Sequence, residues 1–217
     1  VSAIRLGAYD FIEKPFKADR LVLVAERALE TSRLKREVSE LRNRTGATNK
    51  IIGQSSAMNQ LRQVVERVSP ANSRIMITGQ SGAGKELVAR VIHESSLRAA
   101  GPFVVINSAT MTPETMEEAL FGTEAADGRA RKVGALEEAH GGTLYLDEVA
   151  DMPKETQGKI LRVLVDQNFQ RVGGATRVHV DVRIISSSSR DLPSAIEEGM
   201  FREDLFHRLS VVPIRVP

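Results

Sequence analysis

The run "GQSGAGKE", Gly79 to Glu86, has the residue types and spacing to hold a polyphosphate. It matches G-x-x-x-x-G-K, follows an apolar stretch that reads as a strand, and opens one that reads as a helix. Gly79, Gly82 and Gly84 let successive backbone N–H groups converge on phosphate oxygens without Cβ clashes, with Gln80, Ser81 and Ala83 completing the loop. Lys85 adds a full positive charge. Glu86 stands where such loops usually carry a Ser or Thr that ligates magnesium, so the metal must lean on another group. The run "TLYLDE" offers one, an apolar strand ending in Asp147 and Glu148. On an adjacent strand of the same sheet, Asp147 would orient Mg2+, largely through water, and Glu148 would polarise an attacking water. A Gly-rich turn that binds nothing and an acidic pair that is mere surface are the bland alternatives. Finding the cradle and the acids one crossover apart favours chemistry on a triphosphate.

The elements that must position these residues follow from periodicity. "RIMITG", "FVVINSA", "GTLYLDE", "VDVRIISSSS" and "VVPIRV" read as strands. Between them, "KELVARVIHESS", "TPETMEEALFG", "KETQGKILRVLVDQ" and "PSAIEEGMFREDLFHRL" each read as one helix. Five apolar strands separated by helices predict an α/β fold with a mostly parallel five-stranded sheet covered on both faces. Upstream, "GAYDFIEKPF" gives a short strand stopped by Pro15, and a helix runs from an Asp19 cap into a stripe of Leu34, Val38 and Leu41. That stripe is either a short coiled-coil seam or a solvated linker. "TGATNK", Thr45 to Lys50, breaks the pattern. The expected organisation is an N-terminal remnant over residues 1–30, a helical linker over 31–49 and the α/β domain over 50–217.

Composition narrows the classes. With 217 residues, 41% of them hydrophobic and 27% charged, the chain can bury a core and is not a disordered tail. It has no cysteine, which excludes a disulfide framework and thiolate metal sites and suits a cytoplasmic address. No stretch approaches a membrane span, and no signal-peptide pattern opens the sequence, so no membrane partner is expected. A net charge of +2 makes no demand for nucleic acid, and 4% aromatics with no Trp argue against a stacking platform for single strands. His93, His140, His179 and His207 are scattered without i,i+4 pairing and read as structural. Lacking an initiator Met and ending in "VVPIRVP", the sequence is expected to be a piece of a longer chain.

The runs "GQSGAGKELVARVIHESS", "GGTLYLDEVADMPKETQGKILRVLVDQNFQRVGG", "VDVRIISSSSRDL" and "GMFREDLFHRLSVVPI" together resemble the central AAA+ ATPase of NtrC-type bacterial enhancer-binding response regulators. Glu86 after the lysine is usual in that family. The resemblance implies an AAA+ P-loop NTPase three-layer sandwich, with ATP and Mg2+ as cofactors. It implies that Asn107 restrains Glu148 until the substrate geometry is right. Ser188 and Ser189 fall where the family usually has Thr and Asn sensing the γ-phosphate. Arg202 and Arg208 match arginines that reach into a neighbouring subunit's site, which makes hydrolysis depend on a homo-oligomer, from dimer to ring. A salt bridge from Arg202 to Glu198 four residues earlier is the plainer reading. "GAYDFIEKPF" resembles the end of a receiver domain, with Lys14 and Phe11 at its phosphate-pairing and switch positions. A sensor histidine kinase acting through the receiver, DNA bound by a further C-terminal domain, and RNA polymerase are the implied partners.

Activators that engage sigma-54 carry a protruding loop with the signature GAFTGA between "LFG" and "GxxExAxGGTLFLDE". Here "ALFG" and "GALEEAHGGTLYLDE" are present, but "TEAADGRARKV" lies between them, shorter and without an aromatic or Thr-Gly-Ala. A tip bearing Asp127, Arg129, Arg131 and Lys132 would stay hydrated. This combination resembles the NtrX-like branch of the family and argues against sigma-54 remodelling. Two functional classes remain: an ATPase that works at ring interfaces, or a module in which nucleotide sets oligomeric state and DNA occupancy with little hydrolysis. A small-molecule kinase shares the cradle but does not account for the paired arginines.

Overall fold

Alternation along the central strands creates two cores. In β1 (Ile75–Thr78), Ile75 and Ile77 pack on one face of the sheet while Met76 packs on the other. The same alternation separates Tyr145 from Leu144 and Leu146 in β5 (Thr143–Asp147), and Ile185 from Ile184 in β8 (Arg183–Ser188). Strands buried on both faces read as continuous apolar runs because helices cover both sides. The computed structural model describes Leu29, residues 49–125 and residues 131–217. The chain divides into two units, Val1–Thr48 and Asn49–Pro217. The receiver remnant with Lys14 and Phe11, the Leu34–Val38–Leu41 stripe, and the loop tip with Asp127 and Arg129 lie outside the described residues.

With β2 (Phe103–Asn107) and β9 (Val212–Arg215), these strands form one five-stranded sheet in the order β2-β5-β8-β1-β9. Every neighbouring pair is parallel, so the sheet is wholly rather than mostly parallel. The order corrects one expectation: β5 does not adjoin β1, because β8 runs between them and carries its serines between cradle and acids. One face is covered by α1 (Ser56–Val68) and α2 (Lys85–Glu94), through Leu61, Val65, Val88, Ala89 and Ile92. Ser55 caps α1 by accepting from the Met58 N–H. The other face is covered by α3 (Pro113–Phe121), the single turn α4 (Ala135–Glu138), α5 (Lys154–Asp166), α6 (Leu192–Glu197) and α7 (Glu203–Leu209).

The stretch expected as one helix, "PSAIEEGMFREDLFHRL", is two. Gly199 takes a left-handed φ of 68°, and the N–H groups of Met200 and Phe201 turn back to the Ala195 carbonyl. Buried Gln157 seals the break: its amide donates to the Met152 and Met200 carbonyls, and its oxygen accepts from the Arg202 N–H at 2.9 Å. Arg202 therefore stands at the N-cap of α7, and its guanidinium grips Asp204 at 2.7 and 3.0 Å instead of reaching Glu198.

The charged loop has an ordered base. β3 (Thr123–Glu124) pairs antiparallel with β4 (Arg131–Lys132), and nearby β6 (Asn168–Gln170) pairs with β7 (Arg177–His179). Arg171 joins the two hairpins: it grips Glu137 bidentately at 2.7 Å on each arm and Glu124 at 2.9 Å, with its side chain 5% exposed. Removing one partner of such a cluster leaves charge buried and uncompensated. Arg171→Met is expected to destabilise the domain by about 3 kcal/mol in a urea melt. A cost within ±0.5 kcal/mol would place the cluster among surface ion pairs.

Candidate functional site

The residues expected to hold phosphate and metal converge at the carboxyl ends of β1, β2, β5 and β8, where open α/β sheets bind ligands. Gly82 and Gly84 adopt left-handed φ values of 79° and 89°. A Cβ at either would touch no protein atom, so backbone conformation rather than crowding calls for glycine. Gly84 leads into α2 without a side-chain cap, so no side chain occupies the first amides of the helix, which suits an anion. Lys85 is only 6% exposed; its ammonium donates to the Gly79 and Gln80 carbonyls and pairs with Glu148 Oε1, each at 3.1 Å. Glu86 turns outward along the helix to Arg90, which binds it at 2.7 and 2.9 Å. The cradle thus keeps one carboxylate off the phosphate path and draws another in.

Strand register builds the acid pair. Asn107 stands opposite Asp147 across β2 and β5, and Leu146 stands opposite Ser186 across β5 and β8. One step further along, Asn107, Asp147 and Ser187 form a row on the face covered by α2. Asp147 Oδ2 accepts from the Asn107 amide at 2.9 Å, and Oδ1 accepts from the Ser187 hydroxyl at 2.5 Å. Tyr145, two residues earlier on the same face, reaches up to Oδ1 with its hydroxyl at 2.9 Å. Burial holds that phenol well above its ordinary pKa, so it is a neutral donor.

Two expectations change here. Asn107 engages Asp147 rather than Glu148, because register puts it opposite the first acid; its own oxygen caps the turn at Ser108–Thr110 through the Ala109 N–H. The sensor serines are also engaged. Ser188 is buried with its hydroxyl on the Arg190 backbone, and Ser189 gives both its N–H and hydroxyl to Glu148 Oε2, at 2.7 and 2.8 Å. Of the two positions, Ser189 is the one that fixes the second acid.

Glu148 is held at a left-handed φ of 51°, unusual for a residue with a Cβ. That turn swings its side chain out of the strand row toward Lys85. Burial alone would raise its pKa, but the Ser189 donors and the Lys85 ammonium outweigh burial and hold it below its ordinary value of 4.5. A depressed folded-state pKa stabilises the protein above the unfolded value, and that stabilisation disappears as pH falls through the folded one. Wild type is therefore expected to melt above Ser189→Ala at pH 7, with the gap closing on the acid side. A gap independent of pH would mean that Ser189 acts through packing alone.

Among the described residues no three His, Cys, Asp or Glu side chains cluster as a metal site. Magnesium takes one or two carboxylates and completes its shell with substrate phosphates and water. Asp147 fits this role. Of the four histidines, His93 meets the Thr143 hydroxyl at 2.9 Å in the core. Arg208 is exposed and makes no ion pair or hydrogen bond among the described residues. Tyr145 and Ser187 escaped the sequence reading because each looks like core or low-complexity filling; the two-residue spacing from Tyr145 to Asp147 was the available signal.

Residues 51–215 match the family described as the Sigma-54 interaction domain. The nitrogen assimilation regulatory protein NtrX of Azorhizobium caulinodans is 64% identical over all 217 residues, which cover 48% of that protein. The DNA-binding transcriptional regulator NtrC of Rhizobium meliloti is 42% identical over 220 residues, 45% of its length. Solved structures of NtrX from Brucella abortus in complex with ADP and with ATP are 74% identical and cover the whole chain, with TM-scores of 0.81 and 0.79. This chain in turn covers 48% and 49% of those structures. The P-loop NTPase domain of an Escherichia coli sigma-54 activator, 21% identical at a TM-score of 0.54, shares the fold. The chain spans about half the length of the relatives it matches. No described helix is long and apolar enough to cross a membrane. A lysine-bearing cradle, an acid pair two strands away and a family match over most of the chain agree with one another: the chain belongs to the sigma-54 interaction domain family.

Proposed function

We propose that this chain is the ATP-binding module of a two-component transcriptional regulator, and that it hydrolyses ATP where subunits meet. The observation that carries the reading is the 3.1 Å pair between Lys85 and Glu148, which brings cradle and acids to one point although their strands are not neighbours. A triphosphate entering the cradle competes with Glu148 for the Lys85 ammonium and frees Oε1 to face a water. Ser189 keeps the other oxygen fixed, so Glu148 orients that water and takes its proton. Asp147 would hold magnesium, which would supply positive charge against the phosphate oxygens. Arg202 and Arg208 are assigned to a neighbouring subunit's phosphates.

Sigma-54 remodelling is not assigned to this chain, because "TEAADGRARKV" offers a charged tip where docking needs an apolar one. A sensor histidine kinase, DNA and further copies of the chain are the proposed partners, in the cytoplasm. A second reading, in which nucleotide sets assembly with little turnover, is favoured by Ser188 and Ser189 being engaged within the protein. Phosphate release from magnesium–ATP by wild type and by Glu148→Gln, alongside ATP binding, tests both. Bound ATP with equal, near-zero rates removes the enzyme and leaves the assembly reading; no binding at all removes both.

A further inference from the structure

Asp147 is gripped from three strands, and the two donors on Oδ1 are both hydroxyls. Tyr145 projects from β5 at 2.9 Å, and Ser187 projects from β8 at 2.5 Å. The Tyr145 ring is fully buried and stacks on Phe103 with centroids 6.0 Å apart, so its hydroxyl comes from a rigid base. Ser187 is equally buried and is located from its other side by the Glu148 N–H, which donates to its oxygen at 3.3 Å.

Two physical facts give this arrangement meaning. The terminal torsion of an aspartate is soft, so a carboxylate at a strand end needs partners to hold one orientation. All three partners of Asp147 are neutral, whereas the nearby ammonium goes to Glu148. The carboxylate is therefore oriented without being neutralised and keeps its charge for a cation. Its acceptor capacity is also divided unequally. Oδ1 takes two donors and Oδ2 takes one from Asn107, so the free lone pair lies on Oδ2.

We propose that the Tyr145 and Ser187 hydroxyls are positioning groups that lock Oδ1 of Asp147 and so present Oδ2 to a divalent cation or to its bound water. This rests on the reading of Asp147 as the magnesium-orienting acid. Groups that orient a metal-binding side chain commonly account for 10–100-fold in metal affinity.

The test is ATP affinity of Tyr145→Phe and Ser187→Ala, in the full-length protein, titrated with magnesium and separately measured in EDTA. Each variant is expected to leave the EDTA affinity within about twofold and to raise the half-saturating magnesium concentration about tenfold. Tyr145→Phe keeps the ring and its packing, so a hydroxyl effect is isolated from a cavity. An unchanged magnesium requirement in both variants overturns the proposal. Equal losses with and without magnesium also overturn it, since they mark a purely structural hydroxyl. A wild-type protein that binds no ATP removes the functional reading together with the proposal, whereas a wild-type magnesium response untouched by Tyr145→Phe and Ser187→Ala removes the positioning role alone.

Discussion

Glu148→Gln is expected to bind magnesium–ATP normally and to release phosphate about 10²–10⁴-fold more slowly than wild type. Glutamine keeps the shape of the side chain. The Ser189 N–H and hydroxyl can still donate to its oxygen, and the left-handed turn that aims it is a backbone property. What disappears is the ability to take a proton. The substitution also removes the charge that faces Lys85 at 3.1 Å. On the proposed reading, ATP displaces that carboxylate from the ammonium in wild type and a neutral amide in the variant. Affinity for ATP should therefore stay level or rise while turnover collapses, the split expected of a group used in the chemical step. A parallel fall in affinity and turnover would assign Glu148 to the shape of the cradle instead. Unchanged turnover would remove it from the chemistry altogether.

How far the site could be read before any coordinates depends on whether each contact is local in sequence. The cradle is local: glycine spacing, the preceding strand and the following helix lie within twenty residues, and the fold places them accordingly. The acids at the end of β5 were legible for the same reason. Strand order was not, because which of five similar apolar strands lies beside which depends on packing over the whole sheet. That missing fact carries the site's details. With β8 between β1 and β5, its serines fall beside the acids, and register decides that Ser187 meets Asp147 while Ser189 meets Glu148. Asn107 was identified as important from resemblance, but only the pairing of β2 with β5 shows which carboxylate it holds. Gly199 was visible in the sequence, yet a single glycine does not reveal that Gln157, more than forty residues away, closes the break it makes. Arg171 and its two glutamates belong to the same class: three charged residues unremarkable in sequence and nearly buried in space.

The break at Gly199 also separates the fates of the two arginines. Arg202 is the N-cap of α7 and is held by Asp204 through both arms of its guanidinium. Arg208, six residues later, is exposed and has no such partner among the described residues. Burial and, after it, the Arg208 charge lower the pKa of Arg74. On the proposed reading, the anion that Arg208 is exposed to meet is a neighbouring subunit's phosphate group. Arg208→Ala is therefore expected to cut hydrolysis by about 10³–10⁵ with unchanged ATP affinity in a single subunit, and Arg202→Ala to cut it less. Mixing gives the sharper measurement. Arg208→Ala and Glu148→Gln are each inactive alone, but in a head-to-tail assembly an intact Glu148 from the first can face an intact Arg208 from the second. Random mixing creates such interfaces at about a quarter of positions, so activity should return on combining two dead proteins. If Arg208 serves its own subunit's site, every site in the mixture lacks one group or the other and no activity returns.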